Sequence, residues 1–122
     1  MTLFFYDSYA IVEYLNDNPK FVPYFEEHTG ITSVFNLAEV YYSVLQDSGK
    51  EKADIALDIL SPLVIEIDKH SVKKAMLFRL LYKKRKLSYA DCMGYEIAQT
   101  HGVKFLTGDI QFKDIPHVEF MK

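Results

Sequence analysis

Leu3-Phe4-Phe5-Tyr6-Asp7-Ser8 is the stretch whose reading decides the fold. Four consecutive apolar and aromatic residues read as a short buried strand. The run ends on a carboxylate, and Ser8 to Leu15 then places Ala10, Ile11, Tyr14 and Leu15 at helical spacing. Strand, acid, helix is the opening of an alternating α/β chain, and the rest of the sequence continues it. Pro19 to His28 predicts a helix with Pro23 tolerated only in a first turn. Gly30-Ile31-Thr32 predicts a second strand, and Ser33 to Asp47 a long helix with the stripe Leu37, Val40, Tyr41 and Val44. Lys50 to Leu60 predicts a further helix, stopped by Pro62. Leu63 to Ile67 alternates as a strand does.

Downstream, Asp68 is placed to cap the next helix. Ser88 to His101 predicts another helix, ended by Gly102. Val103 to Leu106 and Val118 to Phe120 predict the last two strands. The expected fold is therefore α/β: a mostly parallel sheet of about five strands between helical layers, a three-layer α/β/α sandwich. With 122 residues, positions 1–122 are expected to form one domain.

Composition narrows the function classes. Nearly half the residues are apolar, which argues against disorder. The single cysteine, Cys92, excludes an internal disulfide, and the four histidines show no zinc-ligand spacing. Cys92 reads as a small buried residue, not a nucleophile. The first residues lack a basic start and no apolar run is long enough to span a bilayer, so a cytoplasmic protein without a membrane partner is expected. No glycine-rich phosphate loop of either common kind is present. A phosphate-accepting receiver domain would need paired acids after the first strand, where Tyr6-Asp7 offers one.

Ligand sites of open α/β sheets lie beyond the carboxyl ends of the strands. Four acids fall on that rim in the predicted layout: Asp7, Glu39, Asp91 and Asp109. Each also has an ordinary structural use. Asp7 suits a helix cap, Ser88-x-x-Asp91 a capping box, Asp109 a turn, and Glu39 a solvated helix face. Those uses do not explain why all four rim positions are acidic. Two carboxylates ~5 Å apart at an effective dielectric of ~20 repel by ~3 kcal/mol. Four in one pocket need protons or a cation. An oxygen-only donor set without His or Cys suits Mg²⁺ or Mn²⁺, as one ion or two. Such a site can activate water and stabilise charge on a phosphoryl group.

Taken together, Tyr6-Asp7-Ser8, Thr32-Ser33 leading into Asn36-Leu37-Ala38-Glu39-Val40-Tyr41-Tyr42, Leu87-Ser88-Tyr89-Ala90-Asp91-Cys92, and Phe105-Leu106-Thr107-Gly108-Asp109 resemble the PIN-domain family of metal-dependent ribonucleases, particularly the VapC-like toxins of toxin–antitoxin pairs. The resemblance spans nearly the whole chain. It implies that Asp7, Glu39, Asp91 and Asp109 surround Mg²⁺ or Mn²⁺ as the catalytic set. It implies that Ser8 and Thr107 orient the ligands or water, with Asn36 a weaker addition. It further implies hydrolysis of RNA phosphodiesters, a homodimer, and a small antitoxin protein as partner. Two positions depart from the family pattern: Tyr9 stands where a small polar residue often follows Asp-Ser, and Gln111 where some relatives carry a further acid.

The net charge of −3 conceals a segregated chain. Lys69 to Lys86 holds eight basic residues and no acid, leaving six basic against 17 acidic residues elsewhere, a net −11. Within it, Lys83, Lys84, Arg85 and Lys86 are candidates for the RNA backbone, with Phe78, Tyr82 and Tyr89 as aromatic neighbours. Neutralising the dipole at a helix end is the competing use for the same cations. The leading expectation is a metal-dependent endoribonuclease. Two others use the same residues: a protein-binding module with weak or no catalysis, and a structure-specific DNA nuclease.

Overall fold

A computed structural model of the chain describes residues 2–122. Four strands form one parallel sheet in the order β2-β1-β3-β4: β1 (Leu3–Tyr6), β2 (Thr29–Ile31), β3 (Lys104–Thr107) and β4 (Val118–Phe120). Six α-helices surround it: α1 (Ser8–Leu15), α2 (Val22–Glu26), α3 (Val34–Ser48), α4 (Lys50–Leu60), α5 (Lys69–Leu81) and α6 (Tyr89–Thr100).

Strand parity divides the core. In β1, Phe5 faces one helical layer, while Phe4 and Tyr6 face the other. In β3, Phe105 joins Phe5, and Leu106 joins Phe4 and Tyr6. The first layer brings α5 and α6 against the sheet through Ala75, Met93, Tyr95 and Ile97. The second brings α1, α3 and the segment holding Phe21 through Ile11, Leu37 and Val40. Helix α6 lies close to β1 because Gly94 has no side chain: a Cβ there would meet the Phe5 ring at 2.6 Å. The α/β/α sandwich read from the sequence is thus the fold.

The strand count differs from the expectation of about five. Leu63–Ile67 forms no strand and contributes one isolated parallel bridge, Thr32 to Val64, with N···O distances of 3.0 and 2.8 Å to Leu63 and Ile65. Its would-be partner is too short. Chain 29–31 leads at once to Ser33, which caps α3 by accepting from the Asn36 N–H, so the backbone turns away before a ladder can propagate. A 3₁₀ turn over Ser61–Leu63 removes the other end of the candidate strand. The helix expected over Pro19 to His28 is also shorter, Val22–Glu26, with Pro23 in its first turn as the missing N–H requires.

This topology positions the site. Strand β1 has β2 on one side and β3 on the other, so the chain reverses its direction of winding beside β1. Ligand crevices form at such a reversal, outside the carboxyl ends of the strands. Asp7 directly follows β1, and Gly108-Asp109 directly follow β3.

Candidate active site

Asp7 occupies the N-cap position of α1 with extended backbone, yet its side chain makes no capping bond. The carboxylate turns inward, 2 % exposed. Its Oδ2 accepts a hydrogen bond from the Thr107 hydroxyl at 2.7 Å, and its Oδ1 lies 3.5 Å from Asn36 Nδ2. Thr107 Oγ1 in turn accepts the Asp109 N–H at 3.0 Å. One hydroxyl therefore ties the acid after β1 to the acid after β3.

A second chain of bonds begins at the start of α3. The Ser33 hydroxyl donates to Asn36 Oδ1 at 2.6 Å, which orients the amide. Asn36 Nδ2 donates to Ser8 Oγ at 2.9 Å, and Ser8 Oγ donates to Glu39 Oε1 at 2.6 Å. Ser8, Asn36 and Thr107 thus all contact principal carboxylates. Asn36 is fully buried and its amide is held against Ser8.

Asp91 has two uses at once. Its Oδ2 accepts the Ser88 N–H at 2.8 Å while its own N–H donates to Ser88 Oγ at 3.0 Å, closing a capping box at the start of α6. Asp109 likewise accepts the Gln111 N–H through Oδ1 at 2.9 Å, opening a one-turn 3₁₀ helix. The capping and turn uses read from the sequence hold for these two acids and not for Asp7.

All four acids line one cavity of about 480 Å³. Tyr9, Glu13, Ser43 and Ser88 line it as well. Sequence reading missed Glu13 as a site residue, although it follows Tyr9 by four positions and so shares its face of α1. Burial, then the charge of Asp91, pushes the Asp7 carboxyl up to about 8; the Thr107 bond opposes the shift. Burial pushes Asp91 up to about 6, with Glu39 and Asp109 adding to it and the Ser88 bonds opposing. Helix N-termini favour anions by roughly 0.3–1 kcal/mol, so here burial and mutual repulsion outweigh the α1 and α6 dipoles.

The donor set is oxygen only. Among the described residues no three His, Cys, Asp or Glu side chains are gathered closely enough to cage an ion by themselves. A cation that keeps part of its water shell and takes one or two carboxylates directly suits this layout, and Mg²⁺ binds in that way. Two buried acids, Asp7 and Asp91, two more exposed ones, Glu39 and Asp109, and the polar residues bonded to them fit such an ion.

The basic strip is not a single patch. Arg85 is committed within the protein: it forms a two-pronged pair with Asp114 at 2.7 and 3.0 Å, donates to the Gln111 carbonyl at 2.6 Å, and lies over the Tyr82 ring. Lys83, Lys84 and Lys86 are exposed beyond the end of α5, and none of the three lines the cavity. Cys92 is fully buried, and burial pushes its thiol up to about 11, as expected of an inert residue.

Residues 4–118 match the PIN domain family. The chain belongs to the PIN-domain family. The fold of this PIN domain is similar to two solved structures. One is a toxin–antitoxin complex from Klebsiella pneumoniae, with a TM-score of 0.75 and 19 % identity over 98 % of this chain and 96 % of that one. The other is VapBC2 from Rickettsia felis bound to a DNA fragment from its promoter, with a TM-score of 0.70 and 20 % identity over 98 % of both chains. No curated protein sequence matches the chain significantly. Among the described residues no helix of the PIN domain is long and apolar enough to cross a membrane.

Proposed function

We propose that this PIN domain is a divalent-metal-dependent endoribonuclease and the toxin of a toxin–antitoxin pair. One observation carries the nuclease reading: four carboxylates from four separate parts of the chain line one cavity at the switch point of the sheet. Asp7 is buried beside other acids and makes no helix-capping bond, so capping does not account for it. The toxin reading draws support from the two toxin–antitoxin structures that share the fold.

In this reading Asp7, Glu39, Asp91 and Asp109 hold Mg²⁺ or Mn²⁺, one ion or two. The cation supplies neutralisation of phosphoryl charge and a water of lowered pKa. The chain supplies the rest. Thr107 keeps Asp7 Oδ2 oriented and sets its distance from the Asp109 turn. Asn36 and Ser8 fix the Glu39 rotamer, which an exposed glutamate would not otherwise keep. Removing a proton from the attacking water falls to one of the four carboxylates. A small antitoxin protein and a homodimeric state belong to the same reading, which native mass spectrometry of co-expressed partners tests.

The direct experiment compares Mn²⁺-stimulated cleavage of single-stranded RNA by the parent and by Asp7→Asn. The expected result is a loss of at least about 100-fold with the fold intact. Equal cleavage by both, in preparations free of contaminating nuclease, contradicts the reading. Preference for flapped DNA over RNA would replace the substrate class while keeping the metal chemistry.

A further inference from the structure

The cavity is lined by five acids, counting Glu13, and by no basic residue. A polyanionic strand entering it is repelled unless cations stand at its margins. Two cations lie against aromatic rings at or next to the lining residues. At the start of α6, the guanidinium of Arg79 from α5 lies 4.5 Å from the centre of the Tyr89 ring. Tyr89 directly follows the cavity-lining Ser88 and is 59 % exposed. On the wall formed by α1 and β3, Lys122 Nζ lies 5.8 Å from the centre of the Tyr9 ring, and Tyr9 itself lines the cavity.

The Lys122 main chain and the Tyr9 ring are held in place by the structure around them. The residue before Lys122 donates its N–H to the Thr107 carbonyl at 2.9 Å. The main-chain oxygen of Lys122 accepts from Lys20 Nζ at 2.8 Å. Tyr9 is seated against Phe21 and into the space left by Gly108, where a Cβ would come within 2.3 Å of its ring. Among the described residues, ion pairs engage Lys50, Arg85 and Lys104, and neither Arg79 nor Lys122 takes part in one. A cation oriented by a ring and without a carboxylate partner is available to a phosphate.

Resting on the nuclease reading above, we propose that Arg79 on Tyr89 and Lys122 on Tyr9 grip the phosphates on either side of the one in the cavity. The substrate strand then crosses the acidic pocket from the α6 wall to the α1–β3 wall. The grip needs flexible, unpaired backbone that can dip between two separate walls, so on the ribonuclease reading the ligand is single-stranded RNA. Lys83, Lys84 and Lys86, which lie over no aromatic ring among the described residues, have no part in it.

The test measures binding of a nuclease-resistant, 2′-O-methyl phosphorothioate single strand of about ten nucleotides with Mg²⁺ present, across a salt series. For a single strand, log K falls against log salt with a slope of about 0.7 for each phosphate that the protein neutralises. Arg79→Gln and Lys122→Gln are each expected to lower the slope by about that amount and to weaken binding several-fold, and the double variant by about twice as much in slope. Arg79→Lys is expected to keep the slope. Lys69→Gln, about 15 Å along α5 from Arg79, is the control for general charge and should leave it unchanged. Slopes unaltered in Arg79→Gln or Lys122→Gln, an equal decrease in the Lys69 control, or no binding by the parent overturn the proposal. Absence of cleavage by a parent that binds with the expected slopes would instead overturn the nuclease reading alone.

Discussion

At the start of α1 an aspartate sits in the capping position and makes no capping bond; at the start of α6 an aspartate three residues inside the helix makes one. Both face the same cavity, both are buried, and both have their carboxyls pushed up. The difference is in what each gives the fold. Asp91 satisfies the Ser88 N–H at a helix end that would otherwise lack an acceptor. Asp7 is supported by others, Thr107 and Asn36, and its burial costs stability. A side chain that structure has to support is the stronger pointer to chemistry than one that supports structure.

The largest expected effect is shared by the two. Asp7→Asn and Asp91→Ala should each lower cleavage by at least about 100-fold, measured as initial rates at saturating Mn²⁺. A variant at either position that keeps parental rates would break the equivalence of the pair. Next in size is the support of Asp7. Thr107→Val removes the hydroxyl that joins Asp7 to the Asp109 N–H, and should weaken metal affinity by about 10–100-fold in calorimetric titration. Unaltered affinity would mean the hydroxyl is not what aims the acid.

Stability should separate the two acids. Without metal, Asp91→Ala removes the capping box and should be destabilised by about 1 kcal/mol, or about 4 °C in Tm. Asp7→Asn at neutral pH should melt at or above the parent, because it removes a carboxyl that must take up a proton to be buried. Chemical denaturation of the three proteins side by side measures this, and the reverse order would contradict the division of labour.

The pH trend of the metal-free protein is a further test of the pair. Both carboxyls are raised in the folded state, Asp7 to about 8 and Asp91 to about 6. Their contribution is therefore fully present below the ordinary carboxylate range and is lost as pH rises through those values. The metal-free Tm should fall between about pH 5 and pH 8, and Asp7→Asn should flatten most of that fall. A parent whose Tm rises over the same range would show that the acids are not buried together.

That these four acids share one rim is legible from the chain alone, because each lies beside a recognisable strand end or in the first turns of a helix. Asp7 follows an unmistakable apolar run, and Ser88 announces the helix that carries Asp91. Other features depend on contacts between residues far apart in the chain. The commitment of Arg85 to Asp114 joins positions 29 apart, so a basic run alone does not separate it from Lys83 and Lys84. The single bridge at Val64 in place of a strand follows from the shortness of β2, which local alternation in 63–67 does not encode. Glu13 is hidden for another reason. Apolar spacing marks the inward face of α1, and only the placement of that helix beside β3 turns the face carrying Glu13 toward the acids.

The central claim is that Asp7, Glu39, Asp91 and Asp109 form one cation site. Thermal unfolding of the chelator-treated protein, with and without Mg²⁺ or Mn²⁺, tests it most directly. Metal at about a hundredfold excess over its Kd should stabilise the parent by about 2.7 kcal/mol, on the order of 10 °C. Asp7→Asn should show little of that rise at the same concentration. A parental Tm unmoved by saturating metal, or an equal rise in Asp7→Asn, would contradict the claim.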